Sequence, residues 1–397
     1  MKIVHIITRL ILGGAQENTL ITCKLLAQRG HDVTLITGPA IGPEGELFEQ
    51  ARKEPYKVVV VDSMVRAINP FKDFAAYQKI KKTLVEIQPD IVHTHSAKAG
   101  ILGRYAASNL RKTQDTLRNT KIVHTIHGLA FHNYQSPWLN RFYIAIEKAA
   151  ARRTDFFISV ADAMTNQALE AGIGSPEKFI TAYSAIEEDA FLTPLPQEEI
   201  AKFRADYGIK KDAIVLTTVA RLFELKGHDY IITSARELSK RFDNAVWFFV
   251  GDGNLSDFYK EEVRRQGLAE KIKFTGLLPP ERIPLALQAS DILVHCSLRE
   301  GLARAIGQGM LCGLPAIAFG LDGSNEVVNE DTGRLIEPEN TKQFIDACAE
   351  LIENRELRRK LGEQARQSVV KKFAPQTMVK TIEDVYKRLL YGQAEAR

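Results

Sequence analysis

Three charged side chains stand where strand-like runs end in the second half of the chain. The run "AIVLTTVA" is followed by Arg221 and Lys226, and the run "DILVHCS" is followed by Glu300. A planar Arg fork and a mobile Lys on one loop suit a diphosphate, and a carboxylate before a glycine can accept hydrogen bonds from sugar hydroxyls. The alternatives are two solvated surface cations and a glutamate that only favours a helix N-terminus.

Glycines and helix starts provide backbone donors beside these charges. Gly13 and Gly14 follow the first strand-like run and lead into a helix, and Gly301 and Leu302 precede a helix that carries Gln308. Free N–H groups at a helix start attract anions, and glycine lets a phosphate approach the backbone closely. Because the first pair lacks G-x-G-x-x-G spacing, a plain strand-to-helix turn is an equal alternative there.

Histidines cluster late in the first half of the chain. His127 stands at a strand end before a glycine, where its imidazole can reach a ligand, whereas His93 and His124 are expected within the sheet. His93 and His95 share a strand face and could ligate zinc, yet no carboxylate or cysteine spacing completes a site. The sequence also has no D-x-D pair to hold Mg²⁺. We therefore expect no bound metal.

Alternating strands and helices must position these residues. Six apolar runs separated by helical segments occupy the first half, and five more follow a linker near residues 193–200. This pattern predicts parallel sheets covered on both faces, so each half is a doubly wound, Rossmann-like α/β domain. The predicted divisions are 1–192, 193–374 and a C-terminal helix at 375–397, which packs on its own domain or crosses back to the first. Ligands bind beyond the carboxyl ends of such strands.

Composition narrows the function further. The 397 residues are too many for one ordinary core, and a formal net charge of +4 argues against nucleic acid as a main partner. No apolar run approaches the roughly 18 residues that span a bilayer. Four cysteines without C-x-x-C spacing suit reduced thiols in the cytoplasm. Residues 101–155 carry nine basic and three acidic side chains with aromatic residues nearby, which fits a solvated helical face or contact with anionic lipid.

In order and spacing, several segments resemble those of the retaining glycosyltransferases of family 4, the group 1 glycosyltransferases. The matching segments are "GGAQENTL", "HTHSAKAG", "HTIHG", "VARLFELKGHD", "VGDGN", "FTGLLP" and "EGLARAIGQGMLCGLPAIAFGLDGSNEVV". The resemblance implies the GT-B fold, in which two Rossmann-like domains face each other across a cleft. It places a sugar nucleotide mainly on the second domain and an acceptor on the first.

The resemblance also assigns roles to individual residues. Arg221 and Lys226 would hold the donor diphosphate, and Glu300 would bind hydroxyls of the transferred sugar. The remaining donor contacts would come from Gly13 and Gly14 in the N-terminal loop, Gly251 at a strand end, Leu277 near the base, Gly301 and Leu302 at the distal phosphate, Gln308 at the ribose and Glu326 beside the phosphates. His127 would lie near the reacting carbon.

The reaction implied by this resemblance moves a hexose or related sugar from a UDP- or GDP-sugar to a glycan or lipid-linked acceptor, with retention. It would serve cell-envelope polysaccharide synthesis in the cytoplasm, at the inner face of the cytoplasmic membrane. The sugar nucleotide is a substrate, and no cofactor or metal is implied. The departing diphosphate would take the acceptor's proton, which accounts for the lack of an obvious general base.

Two positions depart from the family pattern. Gln308 stands where the family has a glutamate, and an amide cannot make two charge-assisted bonds to a ribose, so we expect donor affinity to weaken by about 1–2 kcal/mol. Ser184 and Ala185 replace an Asn-Gly pair at the predicted hinge. Two alternatives to a working transferase remain: a catalytically impaired sugar-nucleotide-binding protein, and a GT-B epimerase or phosphorylase.

Overall fold

The computed structural model describes residues 1–40 and 46–392, and the chain divides into two compact units. Unit 1 comprises Met1–Ala185 together with the segment that begins at Pro375, and unit 2 comprises Ile186–Ala374. The first division falls between Ala185 and Ile186, seven residues before the boundary that the sequence predicts between 192 and 193. Residues 393–397 of the predicted C-terminal helix lie outside the described residues.

Unit 1 contains a parallel sheet whose strands are covered on both faces. Its strands are β1 (Lys2–Arg9), β2 (Asp32–Gly38), β3 (Lys57–Val60), β4 (Ile91–His95), β5 (Lys121–Ile126), β6 (Phe156–Ser159) and β7 (Phe179–Thr181). The helices between them are α1 (Gly14–Gln28), α2 (Phe48–Arg52), α3 (Pro70–Ile87), α4 (Ala97–Thr113), α5 (Pro137–Ala151) and α6 (Asp162–Glu170). The strand order is β3-β2-β1-β4-β5-β6-β7. Six consecutive residues of β1 are buried, which explains its continuous apolar run.

Unit 2 repeats this architecture with six parallel strands. They are β8 (Ile214–Val219), β9 (Ala245–Val250), β10 (Ile272–Gly276), β11 (Ile292–His295), β12 (Ala316–Phe319) and β13 (Gly333–Ile336), in the order β10-β9-β8-β11-β12-β13. Its helices are α7 (Asp189–Leu192), α8 (Gln197–Asp206), α9 (His228–Leu238), α10 (Ser256–Arg265), α11 (Ile283–Gln288), α12 (Arg304–Leu311), α13 (Thr341–Glu353) and α14 (Arg355–Val370). Both units are therefore doubly wound, as the sequence predicts.

The sequence pattern misses one edge strand in each sheet. β7 is three residues long and only partly buried, and β13 is four residues long with two residues outside the core. Edge strands are often this short and lack a long apolar run, so periodicity detects them poorly.

The last helix, α15 (Pro375–Tyr391), belongs to unit 1. Its Met378, Val379 and Ile382 join the core formed by β1 and α1. The Tyr386 hydroxyl is buried and lies 2.5 Å from Nδ1 of His93 on β4. The helix therefore completes the core of unit 1. Among residues 1–40 and 46–392, no helix is both long and apolar enough to cross a bilayer.

The strand orders also locate the point where each sheet changes direction. In unit 1 the chain winds outward from β1 on one side and from β4 on the other, and in unit 2 it does so from β8 and β11. A crevice opens beyond the carboxyl ends of two such neighbouring strands, because their connecting helices lie on opposite faces of the sheet. Residues that follow β8 and β11 therefore border this crevice in unit 2.

Candidate functional site

The candidate residues of unit 2 follow five neighbouring strands of one sheet. Leu277 comes after β10, Gly251 after β9, Arg221 and Lys226 after β8, Glu300 after β11, and Glu326 after β12. Because the five strands are parallel, their carboxyl ends meet at one edge of the sheet. The loops after β8 and β11, the strands at the change of direction, carry Arg221, Lys226 and Glu300.

Lys226 and Glu300 form an ion pair at the centre of this row. Nζ of Lys226 lies 2.5 Å from Oε1 of Glu300, and the two side chains are 21% and 19% exposed. Their loops are joined by the backbone, since the N–H of Leu298 donates to the carbonyl of Leu225 at 2.8 Å. Gly227 has φ of +74° and lies close to the residue that follows β11. A Cβ added to it would be 2.0 Å from the carbonyl oxygen of Cys296. Only glycine fits there, which brings Lys226 within reach of Glu300.

Burial and charge act in opposite directions on Glu300. Burial raises the pKa of this carboxyl, but the positive charge of Lys226 and the neighbouring His295 outweigh it and hold the pKa well below its usual range. Nε2 of His295 is 3.3 Å from Oε1 of Glu300. The Glu300 backbone N–H donates to Oδ2 of Asp322 at 2.8 Å. The carboxylate is thus ionised and acts only as an acceptor, which suits hydroxyl groups.

His295 and Asp322 are neighbours of the site that the sequence analysis misses. His295 is the last residue of β11, and Asp322 begins the 3-10 helix Asp322–Glu326. The strand-end position of His295 is a signal that the sequence offers, whereas Asp322 lies three residues beyond the end of β12. Neither contact with Glu300 follows from spacing, because both depend on how the loops fold.

Arg221 is exposed at the end of β8, with Cζ 4.8 Å from the centre of the Phe223 ring. The loop after β9 supports its backbone closely. An added Cβ on Gly251, where φ is +140°, would lie 2.2 Å from the carbonyl oxygen of Ala220. Gly251 therefore lets the two loops pack backbone against backbone, and it acts on the site by placing Arg221.

The remaining unit 2 candidates follow Glu300 in the chain. Gly301 accepts a hydrogen bond from the N–H of Gly323, Leu302 is buried, and α12 begins two residues later. Gln308 is half-buried on α12, and its side chain hydrogen-bonds to no residue in the described part of the chain. The Glu326 carbonyl accepts a hydrogen bond from Nζ of Lys372.

Unit 1 carries the other three candidates, after β1 and β5. Gly13 precedes α1 and Gly14 is its first residue, and His127 comes directly after β5. Between these strands, β4 is followed by Ser96, which has φ of +61° and whose hydroxyl lies 2.8 Å from that of Thr8. A non-glycine residue in this conformation is uncommon and often marks a functional site.

The imidazole of His127 is within hydrogen-bond distance of a second histidine. Its Nε2 lies 3.0 Å from Nδ1 of His95, the last residue of β4. The sequence predicts His95 on a strand face that could ligate zinc, and this contact with His127 is not evident from it. Two neighbouring parallel strands bring the two imidazoles together.

Several basic residues of the segment 101–155 contact other residues of unit 1. Arg104 is fully buried and donates to Glu147 at 2.7 Å, and Arg111 donates to Asp155 at 2.8 Å. Arg153 stacks over Tyr105 at 4.1 Å. Arg141 remains exposed on α5, the helix whose first turns also expose Trp138 (69%) and Phe142 (49%).

Comparison with known families accounts for both units. The profile "Glycosyltransferase Family 4" matches residues 12–189, and "Glycosyl transferases group 1" matches residues 199–368. Together the two profiles cover most of the chain. The chain belongs to the group 1 glycosyltransferases of family 4, and it is a glycosyltransferase.

Individual relatives agree with this assignment. The chain is 28% identical over 391 residues to UDP-Gal:alpha-D-GlcNAc-diphosphoundecaprenol alpha-1,3-galactosyltransferase of Escherichia coli, covering 97% of this chain and 96% of that protein. It is 25% identical to N-acetyl-alpha-D-glucosaminyl L-malate synthase of Bacillus anthracis, over 91% of each. The crystal structure of Anabaena HepE in complex with UDP-glucose matches with a TM-score of 0.79 at 22% identity, over 97% of this chain and 99% of that one. The fold is that of the GT-B glycosyltransferases.

Proposed function

We propose that the protein is a retaining hexosyltransferase that uses a UDP- or GDP-sugar and requires no metal. The observation that carries this proposal is the ion pair of Lys226 and Glu300 where the second sheet changes direction. It supplies a cation for a diphosphate and an ionised acceptor for sugar hydroxyls at hydrogen-bond distance from each other. Arg221, exposed on the same loop, adds a second cation.

In the proposed reaction, the acceptor hydroxyl attacks the anomeric carbon on the face from which the diphosphate leaves. The bond between that carbon and the diphosphate oxygen breaks, and the hydroxyl proton passes to the departing oxygen. Arg221 and Lys226 stabilise the negative charge that develops on the diphosphate. No other group needs to act as base, and no divalent ion is needed to neutralise the leaving group.

The proposed acceptor is a glycan or a lipid-linked sugar of a cell-envelope polysaccharide. The name of the Escherichia coli relative specifies a UDP-linked donor and a diphosphoundecaprenol-linked acceptor, and that protein is similar to this chain over nearly its whole length. The HepE crystal contains UDP-glucose. These relatives support a sugar nucleotide as donor and a lipid-linked sugar as the first acceptor to test.

Calorimetric titration with UDP-glucose, UDP-galactose, UDP-N-acetylglucosamine and GDP-mannose tests the donor site directly. We expect micromolar binding of one donor, unchanged by EDTA, and a loss of affinity of at least about 100-fold in the Arg221→Ala/Lys226→Ala variant, since two charge-assisted contacts disappear. Lys342→Ala is the matched control, because Lys342 forms an ion pair of 2.6 Å with Asp346 elsewhere in unit 2. Unchanged donor affinity in the double variant would refute the phosphate role.

Product analysis separates this function from its alternatives. With a GlcNAc-diphospholipid acceptor, NMR of the product is expected to show the same anomeric configuration as the donor. Donor turnover without any acceptor would indicate an epimerase, and turnover that requires inorganic phosphate would indicate a phosphorylase. Binding without turnover across the acceptor panel would indicate an impaired, sugar-nucleotide-binding protein.

We also propose that unit 1 contacts the anionic inner face of the cytoplasmic membrane. The first turns of α5 expose Trp138 and Phe142, and the start of α3 exposes Phe71 (89%) and Phe74 (64%). Helix α3 follows β3 and α5 follows β5 in a parallel sheet, so both helices start on the side of the sheet where the strands end. Exposed aromatic residues next to arginines and lysines favour an anionic interface.

Flotation with vesicles of phosphatidylglycerol and phosphatidylethanolamine tests this contact. Wild-type protein is expected to float with anionic vesicles and not with phosphatidylcholine vesicles. Trp138→Ala/Phe142→Ala should weaken flotation, whereas Phe258→Ala should not, although Phe258 is 57% exposed on unit 2. Equal flotation of both variants would refute this role of α5.

A further inference from the structure

A row of hydrogen-bonded imidazoles runs from the interior of unit 1 to His127. Nδ1 of His5 on β1 lies 2.9 Å from Nε2 of His95 on β4, and Nδ1 of His95 lies 3.0 Å from Nε2 of His127. His5 and His95 are almost completely buried. The three rings are therefore joined in series, each link using one nitrogen from either ring.

Burial keeps the inner rings neutral. It lowers the pKa of His5 to about 3, and burial together with the neighbouring histidines lowers the pKa of His95 well below its usual value. A neutral imidazole carries one proton, so it donates through one nitrogen and accepts through the other. The row can consequently run in only two directions, and all of its links must point the same way.

The inner end of the row selects the direction. Nε2 of His5 is buried and has no hydrogen-bond partner. A buried N–H group without a partner is rarer than a buried acceptor without one, so this nitrogen carries the lone pair and Nδ1 carries the proton. His5 then donates to His95, and His95 donates through its own Nδ1 to Nε2 of His127.

We propose that His95 and His5 are positioning residues that fix His127 in the tautomer with its proton on Nδ1. Nε2 of His127 accepts the bond from His95 and is not available to take a proton from a substrate. If unit 1 binds an acceptor as proposed above, His127 does not act there as a general base through Nε2. That consequence rests on the proposed function, whereas the tautomers do not.

A metal site is the main competing explanation for the same rings. The ring nitrogens of His5, His93 and His95 lie within 4.8 Å of one another, and they are the one group of this kind in the described residues. Both nitrogens of His93 are occupied, however, by Tyr386 at 2.5 Å and Thr125 at 2.6 Å. Three neutral imidazoles would also leave a buried divalent charge unbalanced. Hydrogen bonding therefore accounts for the arrangement better.

Nitrogen NMR of histidine-labelled protein tests the proposal directly. His5→Gln, His95→Gln and His127→Gln variants assign the signals. We expect the proton on Nδ1 in His5, His95 and His127, and no titration of His5 or His95 between about pH 5.5 and 8. A proton on Nε2 of His95, or titration of either inner ring in that range, would overturn the proposal. So would tight, stoichiometric binding of Zn²⁺ that moves the inner signals.

A pair of substitutions at His95 tests the positioning role in the enzyme. The amide of Asn can replace the Nδ1 donor, so His95→Asn should retain the His127 tautomer and turnover within about threefold. His95→Leu removes the donor, and we expect kcat to fall on the order of 10²-fold with donor KM little changed. In His95→Leu, His127 should also lose its single Nδ1-protonated tautomer, which nitrogen NMR measures.

The proposed function and the positioning role of His95 can be refuted independently of each other. If the wild-type protein shows no transfer, the proposed function fails while the tautomers can still be measured. If transfer occurs but His95→Leu has the same kcat and the same His127 tautomer as the wild type, the positioning role is refuted and the transferase stands.

Discussion

Lys226 and Glu300 touch at 2.5 Å although 74 residues separate them in the chain. Lys226, the cation proposed for the diphosphate, therefore contacts Glu300, the carboxylate proposed for the sugar. Donor binding would replace part of this contact with phosphate oxygens, leaving Glu300 ionised and directed at the hydroxyls. If both groups bind the donor as proposed, holding them in place beforehand would lower the cost of ordering them on binding.

Removing Lys226 should destabilise unit 2 as well as weaken donor binding. Lys226→Ala leaves a partly buried carboxylate without its cation, so we expect the free energy of unfolding to fall by about 1–3 kcal/mol in urea at pH 7. The pKa of Glu300 is lowered in the folded state, so this stabilisation is present above the unfolded carboxyl pKa of about 4.3 and is lost as pH falls below it. The control Lys342→Ala should change stability by less than about 0.5 kcal/mol. Equal losses in the two variants would contradict the account.

Restoring the family's glutamate at Gln308 should tighten donor binding. A second carboxylate oxygen can accept a charge-assisted bond from a ribose hydroxyl, so Gln308→Glu should gain about 1–2 kcal/mol, or roughly 5- to 30-fold in Kd. Gln367→Glu adds the same charge on an exposed position of α14 and should leave Kd unchanged. Calorimetry with the preferred donor measures both. No gain at Gln308 would place the ribose elsewhere.

A methyl group at Gly251 should disturb the loop that carries Arg221. Its Cβ would lie 2.2 Å from the Ala220 carbonyl oxygen, so Gly251→Ala should weaken donor binding by at least tenfold and lower stability by about 1–3 kcal/mol. Gly267→Ala is the control, because Gly267 has φ of +70° and an added Cβ would meet no atom within 4 Å. It should cost roughly 1 kcal/mol and leave Kd unchanged. Similar donor affinity in the two variants would show that this loop contact does not position Arg221.

Acid should release part of the attachment of α15. Burial raises the pKa of Glu383, but hydrogen bonds from Lys387, Arg29 and His31 outweigh it and lower the pKa to about 2. The lowered value means that the stabilisation is present above about pH 4.3 and is lost as pH falls through about 2. Glu383→Gln should therefore lower stability by about 1 kcal/mol at pH 7, with the difference from wild type shrinking between about pH 4 and 2. Thermal unfolding across this range measures the effect.

The neighbouring residue provides the control for this helix. Asp384 forms an exposed pair with Lys380 on α15, so Asp384→Asn should have little effect at any pH. A loss for Asp384→Asn as large as that for Glu383→Gln would mean that general helix charge, and not the contact with Arg29 and His31, sets the acid response.

Local sequence signals predict the frame of this protein better than its contacts. The long buried strands such as β1 and β9 are evident from continuous apolar runs, and the order of motifs predicts the family. The short edge strands β7 and β13 carry too few apolar residues to be detected. Strand ends also identify Lys226 and Glu300 one at a time, because ligands bind beyond the carboxyl ends of parallel strands.

The partners of these residues could not be predicted in the same way. The contact of Lys226 with Glu300 depends on the strand order and on the close approach of Gly227 to Cys296, neither of which leaves a periodic signal. The bond from His95 to His127 likewise requires the register of β4 against β5. Pairing between distant segments is decided by packing of the whole sheet, so single-sequence reasoning finds the groups and misses the bonds.

The place of α15 in unit 1 has a consequence for synthesis on the ribosome. Residues 186–374 lie between the first part of unit 1 and the helix that covers its core. At about 5–20 residues per second, translation leaves that apolar surface uncovered for roughly 10 to 40 s. Unit 2 is continuous and can fold as soon as it emerges, whereas unit 1 waits for the last helix to be made. Unit 1 is thus the first unit to be synthesised and the last whose core is completed, after unit 2 can already have folded.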